Sequence, residues 1–235
     1  MPGYLTKQEQ IAVAGVDVLV IRSLLDRQQF SDPSGDAGRL GISSAAWPLF
    51  GLLWPSGAEL AARLARRPVR AAERILELGC GLALASLVAH RRGADVTASD
   101  CHPLAQCFLA ENLRLNALAP MKYRHGHWGG LAAAPARAGV PAAADLQGRF
   151  DLIVGSDLLY ERDESGALAA TVVRHAAPGA QVWIVDPDRG NRSAFSRRMA
   201  AAGFALLEER LDRPADGGGA PAYKGRLLVY AAPAP

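Results

Sequence analysis

The sequence predicts an α/β fold built on a doubly wound, largely parallel sheet. Two observations carry this prediction. From Glu73 onward, short apolar runs alternate with longer amphipathic ones, as strands and helices do when each strand is followed by a crossover helix. The bend between the first such strand and its helix reads Glu77-Leu78-Gly79-Cys80-Gly81, and an acid, Asp100, closes the second strand. Doubly wound sheets place ligand-binding loops at those points.

Taken in order, residues 10–22 (QIAVAGVDVLVIR) alternate apolar and polar around Gly15 and predict a small hairpin, and 28–44 is turn-rich. Residues 47–57 (WPLFGLLWPSG) hold two Trp and two Pro and lead into a helix over 56–66. We expect residues 1–56 to form a hairpin and lid extension, and 57–235 the main domain. Within that domain 74–78 is a buried strand, 82–92 a helix, 95–99 a strand and 103–116 a helix that begins at a proline suited to a first turn. A short strand over 122–125 precedes a polar, Ala- and Pro-rich loop over 129–148 with room for a short helix. Residues 150–155 (FDLIVG) form the clearest buried strand, 164–177 a helix, 181–185 (QVWIV) a strand, and 192–202 a helix stopped by Gly203. The stretches 205–211 and 223–231 close the chain as an antiparallel pair across a loop containing Gly217, Gly218 and Gly219.

Composition bounds the function. The 235 residues are 50% hydrophobic and 21% charged, enough to bury a core and too apolar for a disordered chain. No apolar run reaches the roughly 18 residues of a membrane helix. Residues 1–10 lack the basic-then-apolar layout of a signal peptide, so a cytosolic protein that binds no membrane is expected. Cys80, Cys101 and Cys107 are odd in number and form no CxxC pair, which fits free thiols in a reducing compartment. His102, His125 and His127 lack further ligands at metal spacing, and no metal is expected. A net charge of +3 is too small to draw in nucleic acid strongly.

The bend after the first strand carries the chemistry. Gly79 and Gly81 let the backbone turn sharply against a ligand, but Leu84 stands where a dinucleotide fold places a third glycine. Glu77 would repel a pyrophosphate, yet it attracts the amino group of a methionine moiety. This favours S-adenosylmethionine over NAD. Asp100 lies 21 positions beyond Gly79, where a carboxylate accepts both ribose hydroxyls. Trp128 follows the third strand, placed to stack its indole on an adenine.

These motifs, together with Ser156-Asp157-Leu158-Leu159-Tyr160, resemble the seven-strand protein-lysine methyltransferases of the methyltransferase-like group over about residues 54–226. That family carries D-x-x-Y after its fourth strand, which falls on Asp157 and Tyr160, and a Trp before the first core helix, which falls on Trp54. Asp186-Pro187-Asp188-Arg189 looks like the DPGR of the branch that methylates the electron-transfer flavoprotein β subunit, with Asp188 in place of the glycine. The resemblance implies a Rossmann-like sheet in order 3-2-1-4-5-7-6 with the last strand antiparallel. It implies S-adenosylmethionine as methyl donor, S-adenosylhomocysteine as product, and a protein as substrate. Asp157 and Tyr160 are then the catalytic pair, Trp54 and Ser156 join the cofactor set, and Asp186 and Arg189 face the substrate.

Asp157 would capture and orient the incoming ammonium, and Tyr160 would line the channel or orient the nitrogen. A small amine or a protein histidine is the alternative acceptor, and a non-catalytic binding module the alternative role. The chain lacks N-P-P-Y, which disfavours nucleic-acid bases, and it has no G-x-S-x-G elbow, which disfavours a hydrolase.

Overall fold

The computed structural model describes residues 3–13, 18–126, 128, 144–160, 162–215 and 222–233. The expected Gly15 turn, the flanks of Trp128, most of the 129–148 loop and Gly217 to Gly219 lie outside the described residues. Within them, strands run β1 (Thr6–Ile11), β2 (Leu19–Leu24), β3 (Arg74–Leu78), β4 (Asp95–Asp100), β5 (Lys122–His125), β6 (Phe150–Ser156), β7 (Ala176–Asp186), β8 (Ala205–Arg210) and β9 (Arg226–Ala231). Helices are α1 (Asp36–Arg39), α2 (Pro55–Arg66), α3 (Leu84–Arg91), α4 (Ala105–Leu115), α5 (Ala167–His175) and α6 (Arg192–Ala201), with a 3-10 turn at Trp47–Gly51.

Seven strands form one sheet in the order β5-β4-β3-β6-β7-β9-β8. Numbered from β3, this is 3-2-1-4-5-7-6. The pairs β3–β4, β3–β6, β4–β5 and β6–β7 are parallel, and β9 runs antiparallel to both β7 and β8. Pleating alone makes the sheet two-sided, because successive side chains point to opposite faces. Ile75, Leu152 and Val154 join one apolar cluster with Leu60 and Leu64 of α2 and Leu87 of α3. Their neighbours Leu76 and Ile153 join the other, with Leu168 of α5 and Phe195 of α6. Strands buried on both faces read as continuous apolar runs, which is why β3 and β6 stand out in the sequence.

The hairpin docks on the first of these faces. Leu19, Ile21 and Leu24 are fully buried there. The outer edge of β2 finds partners on α4 and its C-cap: the Arg22 amide donates to Asn112 Oδ1 at 2.8 Å, and the Val20 amide to Asn116 Oδ1 at 2.8 Å. Asn116 Nδ2 donates back to the Val20 carbonyl at 2.8 Å. Two asparagines thus satisfy an edge whose backbone would otherwise be unpaired.

Several element ends differ from expectation by a few residues, and two of the differences have a clear physical cause. The helix predicted over 164–177 begins at Ala167, because the Asp163 carboxylate accepts from the amides of Ala167 and Leu168 and so caps it. It ends at His175 because Ala176 already pairs with Phe150, ahead of a register shift in β6–β7. The hairpin strands lie further apart in the sequence than the apolar alternation suggested, since β1 is mostly polar and nowhere fully buried. No helix of the described residues is long and apolar enough to cross a membrane.

Candidate active site

The chemistry gathers at the carboxyl ends of β3, β4 and β6. Glu77, 3% exposed, accepts through Oε2 from the Ser86 amide at 2.9 Å and from the Ser86 hydroxyl. Burial pushes its pKa up to about 7; the Ser86 bonds oppose the rise and the nearby Asp100 adds to it. Beyond it, Gly79, Gly81 and Ala83 adopt φ of 58°, 52° and 59°. A Cβ on Gly81 would lie 2.7 Å from the Phe50 carbonyl oxygen, and one on Gly79 2.6 Å from a Leu158 methyl. The bend is therefore held between the lid turn and the segment after β6; a side chain at Gly81 would meet fixed backbone, one at Gly79 only the movable end of Leu158, and both would sit at a strained positive φ.

Asp100 locks the bend to the end of β4. One carboxylate oxygen accepts from the Gly81 amide at 2.8 Å and the other from the His102 amide at 2.7 Å. Burial raises its pKa, against the pull of the His102, Gly81 and Cys101 amides. Each carboxylate oxygen keeps further acceptor capacity beyond these bonds. The His102 ring stacks on Phe50 with centroids 3.6 Å apart, which ties the lid turn to the same loop. Trp54 precedes α2 and donates its indole N–H to the Leu49 carbonyl at 2.9 Å. The Arg27 guanidinium lies 4.9 Å from the Trp54 ring centroid, so this indole already has a cation over it. Trp128 is partly buried, and a Cβ on Gly79 would reach its ring edge at 3.4 Å.

At the other end, β6 finishes at Ser156 and the chain turns through Asp157 with φ 56°. The Asp157 amide donates to the Val185 carbonyl at 3.0 Å. Its Oδ1 pairs with Arg189 Nη2 at 2.9 Å, while Oδ2 is buried without a partner among the described residues. Burial raises the Asp157 pKa, opposed by Arg189 and by the Ser56 hydroxyl. Tyr160 is 47% exposed and stands on the rim. Asp186 is fully buried and accepts through Oδ1 from the Arg189 amide at 2.7 Å, so it shapes the turn that carries Arg189.

With the exception of Asp186, which sits behind the wall, all the residues singled out in the sequence line one cavity of about 950 Å³. Trp54, Gly79, Gly81 and Trp128 bound it together with Glu77 and Asp100; Ser156, Asp157, Tyr160 and Arg189 bound it beyond them. Three features escaped the sequence reading. Ala83 takes the third left-handed position of the bend, at a cost of about 1–2 kcal/mol for a residue with a Cβ. The Phe50–His102 stack joins lid to loop. Ser56 Oγ and Tyr223 Oη lie 3.0 Å apart across 167 positions of sequence, and burial raises the buried Tyr223 phenol to about 12, with Ser56 opposing. The ELGCGLA spacing held a signal for Ala83; a contact spanning that much chain has none.

Residues 56–210 match a family model described as "Methyltransferase domain". The mouse electron transfer flavoprotein beta subunit lysine methyltransferase is 28% identical over 170 residues, covering 71% of this chain and 60% of that protein. A Xenopus laevis histone-arginine methyltransferase is 30% identical over 138 residues, covering 56% of this chain and 54% of that protein. The chain thus spans about 60% of the length of the mouse relative. In fold it is similar to a T. thermophilus 16S rRNA methyltransferase solved with AdoMet and guanosine, with TM-score 0.60 and 17% identity over 97% of this chain and 51% of that one. The family match takes in α2, the glycine-kinked bend, Asp100 and the Asp157 turn, the elements that build the cavity, and the chain belongs to the methyltransferase domain family.

Proposed function

We propose that the protein is an S-adenosylmethionine-dependent N-methyltransferase whose acceptor is a lysine side chain of another protein. One observation carries the reading: a single cavity runs from the Glu77–Asp100 loop pair to the Asp157 carboxylate. A donor and an acceptor can therefore meet without crossing protein. The names of the relatives, lysine methyltransferases from mouse, rat and zebrafish among them, support a protein substrate.

The residues present fit the donor. Gly79 and Gly81 hold the bend at positive φ on the cavity wall, Glu77 offers a buried carboxylate to an amino group, and Asp100 offers two fixed oxygens to vicinal hydroxyls. S-adenosylmethionine, when bound, supplies a sulfonium-activated methyl group. The protein's own task is to present a neutral nitrogen in line with that methyl, since orientation at near-attack distance supplies much of the acceleration in such a displacement. A free lysine of pKa about 10.4 is neutral roughly once in 2,500 molecules at pH 7, a cost of about 4.6 kcal/mol. Asp157 favours the ammonium and so captures and orients it. Loss of the proton is helped by the low polarity of the inner cavity, where Leu158 and Leu159 are buried beside Asp157. Tyr160 lines the entrance. Residues 1–56 act as a lid, their turn at Phe50 pressed on Gly81. The three free cysteines fit a cytosolic setting.

Incubating the protein with radiolabelled S-adenosylmethionine and a cell lysate tests this. Label is expected on a protein band and, by mass spectrometry, on lysine Nζ. Label confined to the low-mass fraction, or found on histidine or arginine, would overturn the acceptor assignment.

A further inference from the structure

The carboxylate assigned above to the acceptor ammonium already holds a cation of the protein's own. Arg189 Nη2 lies 2.9 Å from Asp157 Oδ1, and Nη1 lies 3.5 Å from the Asp157 carbonyl oxygen. Arg189 and Asp157 both line the cavity. We infer that the Arg189 guanidinium is a displaceable stand-in for the acceptor ammonium. Asp157 then receives only a cation brought in with enough binding elsewhere to expel the arginine, that is, a lysine on a docked protein and not a free amine. This rests on the methyl-transfer reading of the cavity and adds a rule for what the site admits.

Three features of the pair support the exchange. Asp157 is the fixed partner: its amide is bonded to Val185, its backbone sits at φ 56°, and its short side chain is largely buried, which keeps its carboxylate in place when the arginine moves. Arg189 is the movable one. Its backbone is fixed by the Asp186 carboxylate, but its side chain is 32% exposed against 13% for Asp157, which leaves it an open side toward water. The pair is also half complete. Asp157 Oδ2 is buried and makes no hydrogen bond of ordinary geometry among the described residues, with only the nearby Ser56 hydroxyl easing its charge, so the guanidinium satisfies one oxygen and leaves the other with acceptor capacity to spare. An ammonium carries three donors on one small centre and can serve both oxygens.

The arrangement has a physical purpose. A buried carboxylate without a partner is costly and binds whatever cation is at hand. With Arg189 in place, that cost is removed in the resting protein, and each entering amine must offset the loss of an ion pair. A free amine brings only its charge and a short alkyl chain. A lysine on a bound protein draws on the rest of its interface, in the way binding energy from remote contacts is used at a reacting centre. The relation between acceptor and arginine is competitive, so removing the arginine should strengthen amine binding.

The test uses n-butylammonium chloride as probe, titrated calorimetrically at pH 7 into the protein, Arg189→Gln, Arg189→Lys, and the double variant Asp157→Asn/Arg189→Gln. Arg189→Gln is expected to bind the probe at least tenfold more tightly than the unaltered protein. Arg189→Lys, whose single ammonium reaches less far and makes no fork, should lie between them; it carries the test with the same sign if Arg189→Gln does not fold. The double variant should lose the gain. Equal or weaker binding by the single variants would overturn the inference, as would a gain that survives in the double variant. Binding of S-adenosylhomocysteine, measured separately on the unaltered protein, reports on the methyl-transfer reading and does not depend on how the variants rank.

Discussion

Replacing Glu77 with Gln should make the protein more stable at alkaline pH and impair its hold on the donor. Glu77 is 3% exposed, and burial raises its pKa from 4.5 to about 7. Between those values the unfolded chain has released a proton that the folded protein retains. Stability contributed by the protonated form is therefore complete below about pH 4.5, falls through the window, and is lost as pH passes about 7. A gap of that size corresponds to about 3 kcal/mol, at 1.36 kcal/mol for each tenfold step. Gln in the same place can accept from the Ser86 amide and hydroxyl through its own carbonyl, and it carries no charge to desolvate. The stability difference between variant and parent should be near zero at pH 4.5 and reach about 2–3 kcal/mol in favour of the variant at pH 8. In a chain of this size that is roughly 5–10 °C in Tm. Urea unfolding at pH 5, 6.5 and 8 measures the difference, and calorimetry with S-adenosylhomocysteine at pH 8 should show binding at least tenfold weaker. A variant less stable than the parent at pH 8, or a difference that does not change with pH, would refute the reasoning.

Four further outcomes follow from the geometry. Gly81→Ala should lose about 2–4 kcal/mol in urea unfolding, since it adds a Cβ at positive φ against a backbone carbonyl 2.7 Å away. Gly79→Ala should lose less, because a Leu158 methyl, the atom in its path, can rotate aside. Asn112→Ala removes the partner of the Arg22 amide and should cost about 1–3 kcal/mol, with limited proteolysis cutting first in the hairpin. Asp157→Asn should lower methyl transfer at least a hundredfold while S-adenosylhomocysteine affinity stays within about twofold, which separates the two ends of the cavity; unchanged transfer would remove Asp157 from the acceptor site.

Much of the sheet was legible because its central strands are buried on both faces. β3 begins and ends where its apolar run predicted, β5 matches its expected bounds although only Tyr123 in it is apolar, and the crossover pattern carried the parallel core. What was obscure had no local signature. Ala176 and Ala177, next to Pro178 and Gly179, look like the frayed end of a helix, yet Ala176 pairs with Phe150 of β6 before the ladder resumes at Gln181. β1 lies outside the apolar alternation because it is mostly polar and nowhere fully buried, and its partner β2 finds its other edge satisfied by asparagines some 90 residues away. The site divides in the same way. Glu77, Gly79 and Gly81 share one bend and Asp100 closes the next strand at a set spacing from them, so their spacing announced them. The occupation of Asp157 by Arg189, the support of Ser56 by Tyr223 and the stacking of Phe50 on His102 join distant segments, and only folding brings them together.

The most direct measurement is a crystal structure of the protein with S-adenosylhomocysteine. Its amino group is expected against the Glu77 carboxylate, its ribose hydroxyls on Asp100 and its sulfur facing Asp157 along the cavity. Ligand bound elsewhere, or with its sulfur turned away from Asp157, would contradict this.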